Sequence, residues 1–406
     1  MKILMVNKFL FLNGGSEACL FDTGRWLKER GHHVVYLGMA DRRNAPLADP
    51  TYLVSHVDLE TASWREQARV AGRILWSLEA QRVLERAIAE HAPDIAHLHN
   101  VYHQISPSIL HVLRRAAIPA VMTLHDYKLV CPVYTLYRAG GPCERCRGGR
   151  YTNCVLYRCC KGSFGKSFLA AVEMFLHHRV LKVYRSVSRF IAPSRFLAAK
   201  VAQLGFLGPI CYLPNAVDVA ALPAPATTPG DGVVYFGRLT EEKGVLTVLD
   251  AVAGLNVPCT IVGDGPFAAR LRAVAAQRRL THVRFLGQLG FQETLRHVAR
   301  AAVVVVPSLW YENAPRNVLE AFALARPVIA SRIGGLPELV RDGVTGLTFA
   351  PGNSDDLRRA MLVLLENPQV AVAMGLAGRR LVEAEYSAAS YTGGLLAIYE
   401  DALGRH

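Results

Sequence analysis

Two doubly wound parallel α/β domains are the fold class this sequence predicts, and three observations carry it. Short apolar runs alternate with helix-length amphipathic segments along all 406 residues. That is the pattern of parallel sheets with helices on both faces. The alternation breaks once, at a Pro- and Ala-rich stretch over residues 221–231 that reads as a linker. Glycine turns follow strand-like runs in both halves, where an open α/β sheet receives its ligand.

In the first half, strands are expected at residues 3–6, 34–37, 95–98, 120–124 and 189–192. Gly14 and Gly15 open a helix that runs through Arg30 and is stopped by Gly31. In the second half, strands are expected at 233–236, 259–262, 283–286, 303–306, 328–330 and 347–349. The valine run at 303–306 leads into a turn in which Pro315 suits the start of a helix, because its missing N–H would be unsatisfied there anyway. Glu312 therefore falls at the mouth of a strand and Glu320 on the first turns of the following helix. Carboxylates so placed accept hydrogen bonds from sugar hydroxyls. The predicted organisation is a first domain over residues 1–213 with a cysteine-rich insertion at about 131–165, and a second over 214–387. A terminal helix over 388–406 packs back on the first domain.

Composition narrows the partners. A 51% hydrophobic share is ample for two cores, and the net charge is +13. Between Arg145 and Val217 the one acidic residue is Glu173, against twelve Lys or Arg. Such a face suits an anionic partner (phospholipid, a phosphorylated acceptor or nucleic acid) or is simply solvated. No segment approaches the ~20 apolar residues of a membrane span. The amino terminus reads as a strand rather than a signal peptide. Nine cysteines without such a signal argue for reduced thiols in a cytosol.

Phosphate-binding chemistry is expected in both halves. The Gly14-Gly15 turn allows close backbone approach, and the helix that follows favours an anion at its amino terminus. After the strand at 233–236, Arg238 offers a planar fork for a pyrophosphate and Lys243 a mobile point charge. The turn containing Gly263, Asp264 and Gly265 follows another strand of the same sheet and either walls a nucleotide pocket or turns the chain.

Taken in order, Gly14-Gly15-Ser16-Glu17, Arg238 with Lys243, Gly263-Asp264-Gly265-Pro266, Glu312 with Glu320, Gly334-Gly335-Leu336-Pro337-Glu338 and Asp342-Gly343-Val344-Thr345-Gly346 resemble glycosyltransferase family 4 over nearly the whole chain. The resemblance implies a GT-B fold, two Rossmann-like domains facing a cleft. It also implies a retaining, nucleotide-sugar-dependent transferase with no catalytic metal. Arg238 and Lys243 would neutralise the departing diphosphate, Glu320 would hold the ribose and Glu312 would face the donor sugar. His125 would contact that sugar, Gly14 and Gly15 would lie against the diphosphate, and Gly265, Gln288 and Leu289 would lie near the nucleotide. Many members read Glu-Gly-Phe-Gly where this chain has Glu312-Asn313-Ala314-Pro315. Pro315 has no N–H to offer, so Asn313, Arg316 or Asn317 would supply the missing contact beside Ala314.

The insertion carries a second expectation. Cys143, Cys146, Cys154 and Cys159 are enough thiolates for a structural zinc site, with reduced free thiols or disulfides as alternatives. His99, Asn100, Tyr102 and His103 follow a strand and are candidates for the acceptor. An apolar stripe of helical spacing (Phe168, Leu169, Val172, Phe175, Leu176, Val180, Val183) reads as core packing, with an amphipathic surface on anionic lipid as the alternative. The expected function is transfer of a sugar to a glycan or lipid-linked acceptor in surface polysaccharide or lipopolysaccharide assembly, in the cytoplasm or peripherally on the inner membrane face. A sugar-nucleotide epimerase of the same fold is the nearest alternative. A basic zinc-containing nucleic-acid binder is another; it would leave the second domain's carboxylates and cations without a role, so no nucleic-acid partner is expected.

Overall fold

A computed structural model describes residues 1–56, 64–225 and 227–404. Ala226, inside the expected linker, and the last two residues of the expected terminal helix lie outside the described residues. The chain divides into two compact units. One comprises residues 1–135, 144–213 and 392–406; the other comprises 136–143 and 214–391.

The strands of the first unit are β1 (Lys2–Val6), β2 (His33–Met39), β3 (Thr51–Val54), β4 (Ile95–Leu98) and β5 (Ala120–Thr123). A two-stranded hairpin, β6 (Tyr137–Arg138) and β7 (Gly141–Pro142), is grouped with the second unit. β8 (Val187–Ala192) and β9 (Ile210–Tyr212) complete the first unit's seven-stranded sheet, in the order β3-β2-β1-β4-β5-β8-β9. All its pairings are parallel. Ile3, Leu4, Met5 and Val6 have no exposed surface, as a central parallel strand covered on both faces requires. Two strands of this sheet lie outside the expected set, β3 and β9. Both are sheet edges, and β3 alternates exposed with buried residues while β9 is half-buried throughout. Neither has the continuous apolar run that marks an inner strand.

The second unit holds β10 (Val233–Phe236), β11 (Cys259–Val262), β12 (Val283–Gly287), β13 (Val303–Val306), β14 (Val328–Ser331) and β15 (Gly346–Phe349), in the order β12-β11-β10-β13-β14-β15. These too are parallel throughout. Each sheet reverses its winding beside its first strand, between β1 and β4 and between β10 and β13. A doubly wound sheet opens a crevice at that reversal, at the carboxyl ends of the strands. The Gly14-Gly15 turn follows β1 and the Gly237-Arg238 turn follows β10, so both glycine turns lie at switch points.

The helix Gly15–Glu29 ends at Arg30, and Gly31, with φ of +79°, turns the chain toward β2. The last helix spans Ala388–Ala402, and from Thr392 onward it belongs to the first unit. There Tyr399 is buried and its hydroxyl shares a 2.7 Å hydrogen bond with His97 Nδ1 on β4. No single helix among the described residues is long and apolar enough to cross a membrane.

Candidate active site

The second unit gathers most of the expected chemistry at the carboxyl ends of β10 and β13. Four consecutive valines bury β13 on both faces, and the chain leaves it through Pro307 and Ser308 to reach Glu312. Glu312 is 4% exposed. Lys243, from the short turn after β10, donates to Glu312 Oε1 at 2.6 Å, and Ser308 Oγ donates to the same oxygen at 2.5 Å. The Lys243 ammonium also lies 5.1 Å from the Trp310 ring centroid. Burial opposes ionisation of Glu312. The Lys243 charge and the hydrogen bonds from Lys243 and Ser308 outweigh it and hold the carboxyl below its ordinary range.

The backbone around Glu312 is clamped from the far side. Gly335 N–H donates to Glu312 O at 2.7 Å. Gly334 has φ of +62°, and a Cβ there would lie 2.4 Å from Glu312 O and 2.5 Å from Glu312 N. Only glycine fits both the conformation and the space. On the other side, a Cβ on Gly263 would lie 1.9 Å from Gly237 O, so the turns after β10 and β11 press backbone to backbone.

The helix Arg316–Ala323 starts with Pro315 at its amino-terminal cap, as its missing N–H allows. From this helix Asn317 Nδ2 donates to Phe236 O at 3.2 Å, which ties it to the end of β10. Arg316 donates to Ala216 O at 3.1 Å and stands 3.7 Å from Glu320. Ala314 is buried and its carbonyl accepts from Asn215 Nδ2 at 2.9 Å. Asn313 and Glu320 are half-buried. Arg238 is exposed and makes no ion pair among the described residues. Gln288 is exposed and Leu289 half-buried, both just beyond β12. Gly265, with φ of +158°, packs against Leu239 O. Ser308 was not among the sequence candidates. Its signal is only its position, four residues before Glu312 on the exit from a buried strand.

The first unit builds a different arrangement. His125 follows β5, and its Nε2 lies 2.8 Å from His99 Nδ1. His99 stacks on His97 at 4.4 Å between ring centroids, and His97 Nε2 bonds Thr123 Oγ1 at 2.7 Å. Burial pushes His125 down to about 4. Burial, and then the neighbouring His125, brings His97 to about 3. All three imidazoles are thus held neutral. Of the residues expected at the acceptor, His99, Asn100 and Tyr102 are buried, and His103 Nδ1 lies 3.4 Å from the Glu173 carboxylate. Gly14 is exposed and extended, and a Cβ there would meet only Glu17 Oε2, at 3.7 Å. The fold by itself does not demand a glycine at that place.

The zinc expectation is corrected. Among the described residues no group of three or more His, Cys, Asp or Glu is placed to hold a metal ion. Cys154 is fully buried, and burial first, then the thiols of Cys159, Cys131 and Cys160, push it up to about 12.

The comparisons with known proteins agree with this architecture. Residues 13–221, just over half of the chain, match the model described as Glycosyltransferase Family 4, and residues 228–381 match Glycosyl transferases group 1. The chain belongs to glycosyltransferase family 4. It is 34% identical over 189 residues to a glycogen synthase of Mycobacterium tuberculosis, covering 44% of this chain and 45% of that protein. It is 36% identical over 155 residues to the D-rhamnosyltransferase WbpZ of Pseudomonas aeruginosa, covering 38% and 40%. The chain thus spans about half the length of the curated relatives it matches. Among solved structures, a sucrose-phosphate synthase from Thermosynechococcus elongatus superposes with a TM-score of 0.75 at 17% identity over 100% of both chains. Anabaena HepE in complex with UDP and glucose gives 0.71 at 19% identity, over 99% of this chain and 100% of that one. These likenesses identify the fold as GT-B.

Proposed function

We propose that this chain is a retaining glycosyltransferase that takes a sugar from a nucleoside diphosphate and delivers it to a glycan or lipid-linked acceptor, in the assembly of a surface polysaccharide. The observation that carries the reading is the Lys243–Glu312 pair at the carboxyl ends of β10 and β13, with exposed Arg238 on the same stretch after β10 as Lys243. Fixed cations at a switch point suit a leaving diphosphate, which needs charge neutralisation as the glycosidic bond breaks. In this reading Arg238 and Lys243 hold the diphosphate, Glu320 the ribose and Glu312 the sugar hydroxyls. The assignments of His125 to the sugar and of Gly14 and Gly15 to the diphosphate rest on the family resemblance. The anomeric C–O bond breaks and the acceptor hydroxyl bonds to the same face. Its proton passes to the departing phosphate oxygen, so no side chain serves as covalent nucleophile.

Support comes also from HepE, whose structures contain UDP, glucose or UDP-glucose. The test is a donor panel of UDP-, GDP-, ADP- and dTDP-sugars, read by melting temperature and by sugar release. The matching donor should stabilise the protein by ~2.7 kcal/mol at a hundredfold excess over its dissociation constant. If none of the four shifts the melting temperature or is turned over, the reading fails.

A further inference from the structure

The helix Phe164–Phe175 is turned inside out relative to its neighbours. Its outward face carries Phe164, Phe168 and Phe175, each between 55% and 59% exposed. At 100° per residue these three fall within about 40° of arc. Phe164 and Phe168 stack there, with centroids 6.4 Å apart and planes 9° apart. Leu169, Val172 and Leu176 flank them, half-buried. The inward face instead holds Ser167, Ala170, Ala171, Glu173 and Met174, all buried. The stripe expected as core packing is therefore largely surface, and only Val183 of its members is buried.

Within residues 158–185 the exposed charged side chains have one sign. Arg158, Lys161 and Lys166 stand near its amino-terminal end, and Arg179, Lys182 and Arg185 just beyond its carboxyl end; all are exposed. Glu173, the one acid between Arg145 and Val217, points the other way. It is 1% exposed and 2.7 Å from Lys128 Nζ, so it screens none of the outer cations. Arg179, Lys182 and Arg185 also line a cavity of about 420 Å³ together with His178, Phe206 and Leu207. Leu207 is 93% exposed.

Contiguous exposed aromatics mark an interaction surface. Exposed cations at both ends of such a face are complementary to anionic lipid headgroups, with the rings entering the acyl boundary. We propose that the outward face of Phe164–Phe175, with its cationic rim, docks this protein on an anionic lipid bilayer. The surface lies wholly within the first unit and does not rest on the transfer reaction.

The experiment is flotation of the full chain with vesicles of phosphatidylcholine, with and without phosphatidylglycerol, at low and high salt. The protein should float with anionic vesicles at low salt and stay behind with neutral ones. Replacing all three rings (Phe164→Ser, Phe168→Ser, Phe175→Ser) should weaken partitioning roughly a hundredfold, while circular dichroism still reports a folded chain because each ring is more than half exposed. Each of Arg158→Ser, Lys166→Ser and Lys182→Ser should weaken it about fivefold. Native protein that ignores anionic vesicles would overturn the proposal, as would undiminished binding by the triple variant. A dimer in sedimentation velocity that the triple substitution dissolves would assign the face to a second copy of the chain instead. Vesicles carry no sugar acceptor, so failure here leaves donor turnover untouched.

Discussion

Replacing Lys243 with methionine removes the cation that pairs with the buried Glu312 carboxylate. Breaking a fully buried ion pair from one side costs about 3–5 kcal/mol, because a charge is left without its partner. Here the Lys243 side chain is 24% exposed, and Ser308 still donates to Glu312 at 2.5 Å. The expected loss at pH 8 is therefore smaller, about 2–3 kcal/mol. The pH dependence gives the sharper signature. In the native protein the Glu312 carboxyl is held below its ordinary value, so its contribution is present above the unfolded pKa and fades as pH falls through the folded one. Without Lys243, burial dominates and raises the folded pKa above the unfolded one. The variant then recovers as pH falls through that raised value and the carboxyl takes up a proton. The stability gap between the two proteins should shrink to under about 1 kcal/mol near pH 4. Urea titrations followed by hydrogen exchange in peptides covering β10 and β13 read the second unit alone. The double variant with Glu312→Gln should return part of the loss, giving a coupling of roughly 1–2 kcal/mol at pH 8. A Lys243→Met loss under about 0.5 kcal/mol, the same at pH 4 and pH 8, would refute the reasoning, since surface substitutions alone give that much.

Other consequences can be measured directly. Arg238→Ala should leave stability within about 0.5 kcal/mol, because the side chain is exposed, yet weaken calorimetric binding of the matching nucleoside diphosphate at least tenfold through loss of a charge-assisted hydrogen bond. Gly334→Ala should destabilise the second unit by about 2 kcal/mol or more in the same urea titration, because a Cβ at φ of +62° meets the Glu312 backbone, and the displaced carboxylate should weaken donor binding too. The first unit should be acid-labile. His125 and His97, at about 4 and about 3 in the fold, each take up a proton more readily when unfolded. Stability should therefore fall as pH drops below about 6.5, by up to ~1.4 kcal/mol per unit for each histidine, flattening once their folded values are passed. Hydrogen exchange in β4 and β5 between pH 7 and pH 5 checks this, and flat protection would contradict it.

Much of the second unit was legible before any coordinates. Of the six strands in its parallel sheet, three fall on the expected residues and the other three differ by one residue at an end. Runs such as Val303–Val306 are buried on both sides and need no partner to be recognised. Pro315 likewise marks the start of a helix by its own covalent chemistry. The glycine turns after β1 and β10 stand at strand ends that any doubly wound reading would place beside a ligand.

Other features depend on which distant residue a side chain meets, and local pattern does not encode that. Lys243 and Glu312 are 69 positions apart, and His97 and Tyr399 are 302 apart. The pairing that sets the Glu312 charge and the contact that seats the terminal helix were therefore invisible to spacing. The cysteines show the same limit. Thiol number and spacing suggested a metal site on Cys143, Cys146, Cys154 and Cys159, but the fold buries Cys154 near the thiols of Cys159, Cys131 and Cys160 and, among the described residues, brings no three ligands together for a metal ion. The helix Phe164–Phe175 is the clearest case. Its periodicity established that phenylalanines share a face, which follows from 3.6 residues per turn. Which way that face looks is fixed by tertiary packing: the opposite side lies inward, where Glu173 pairs with buried Lys128, and the aromatic side is left to the solvent.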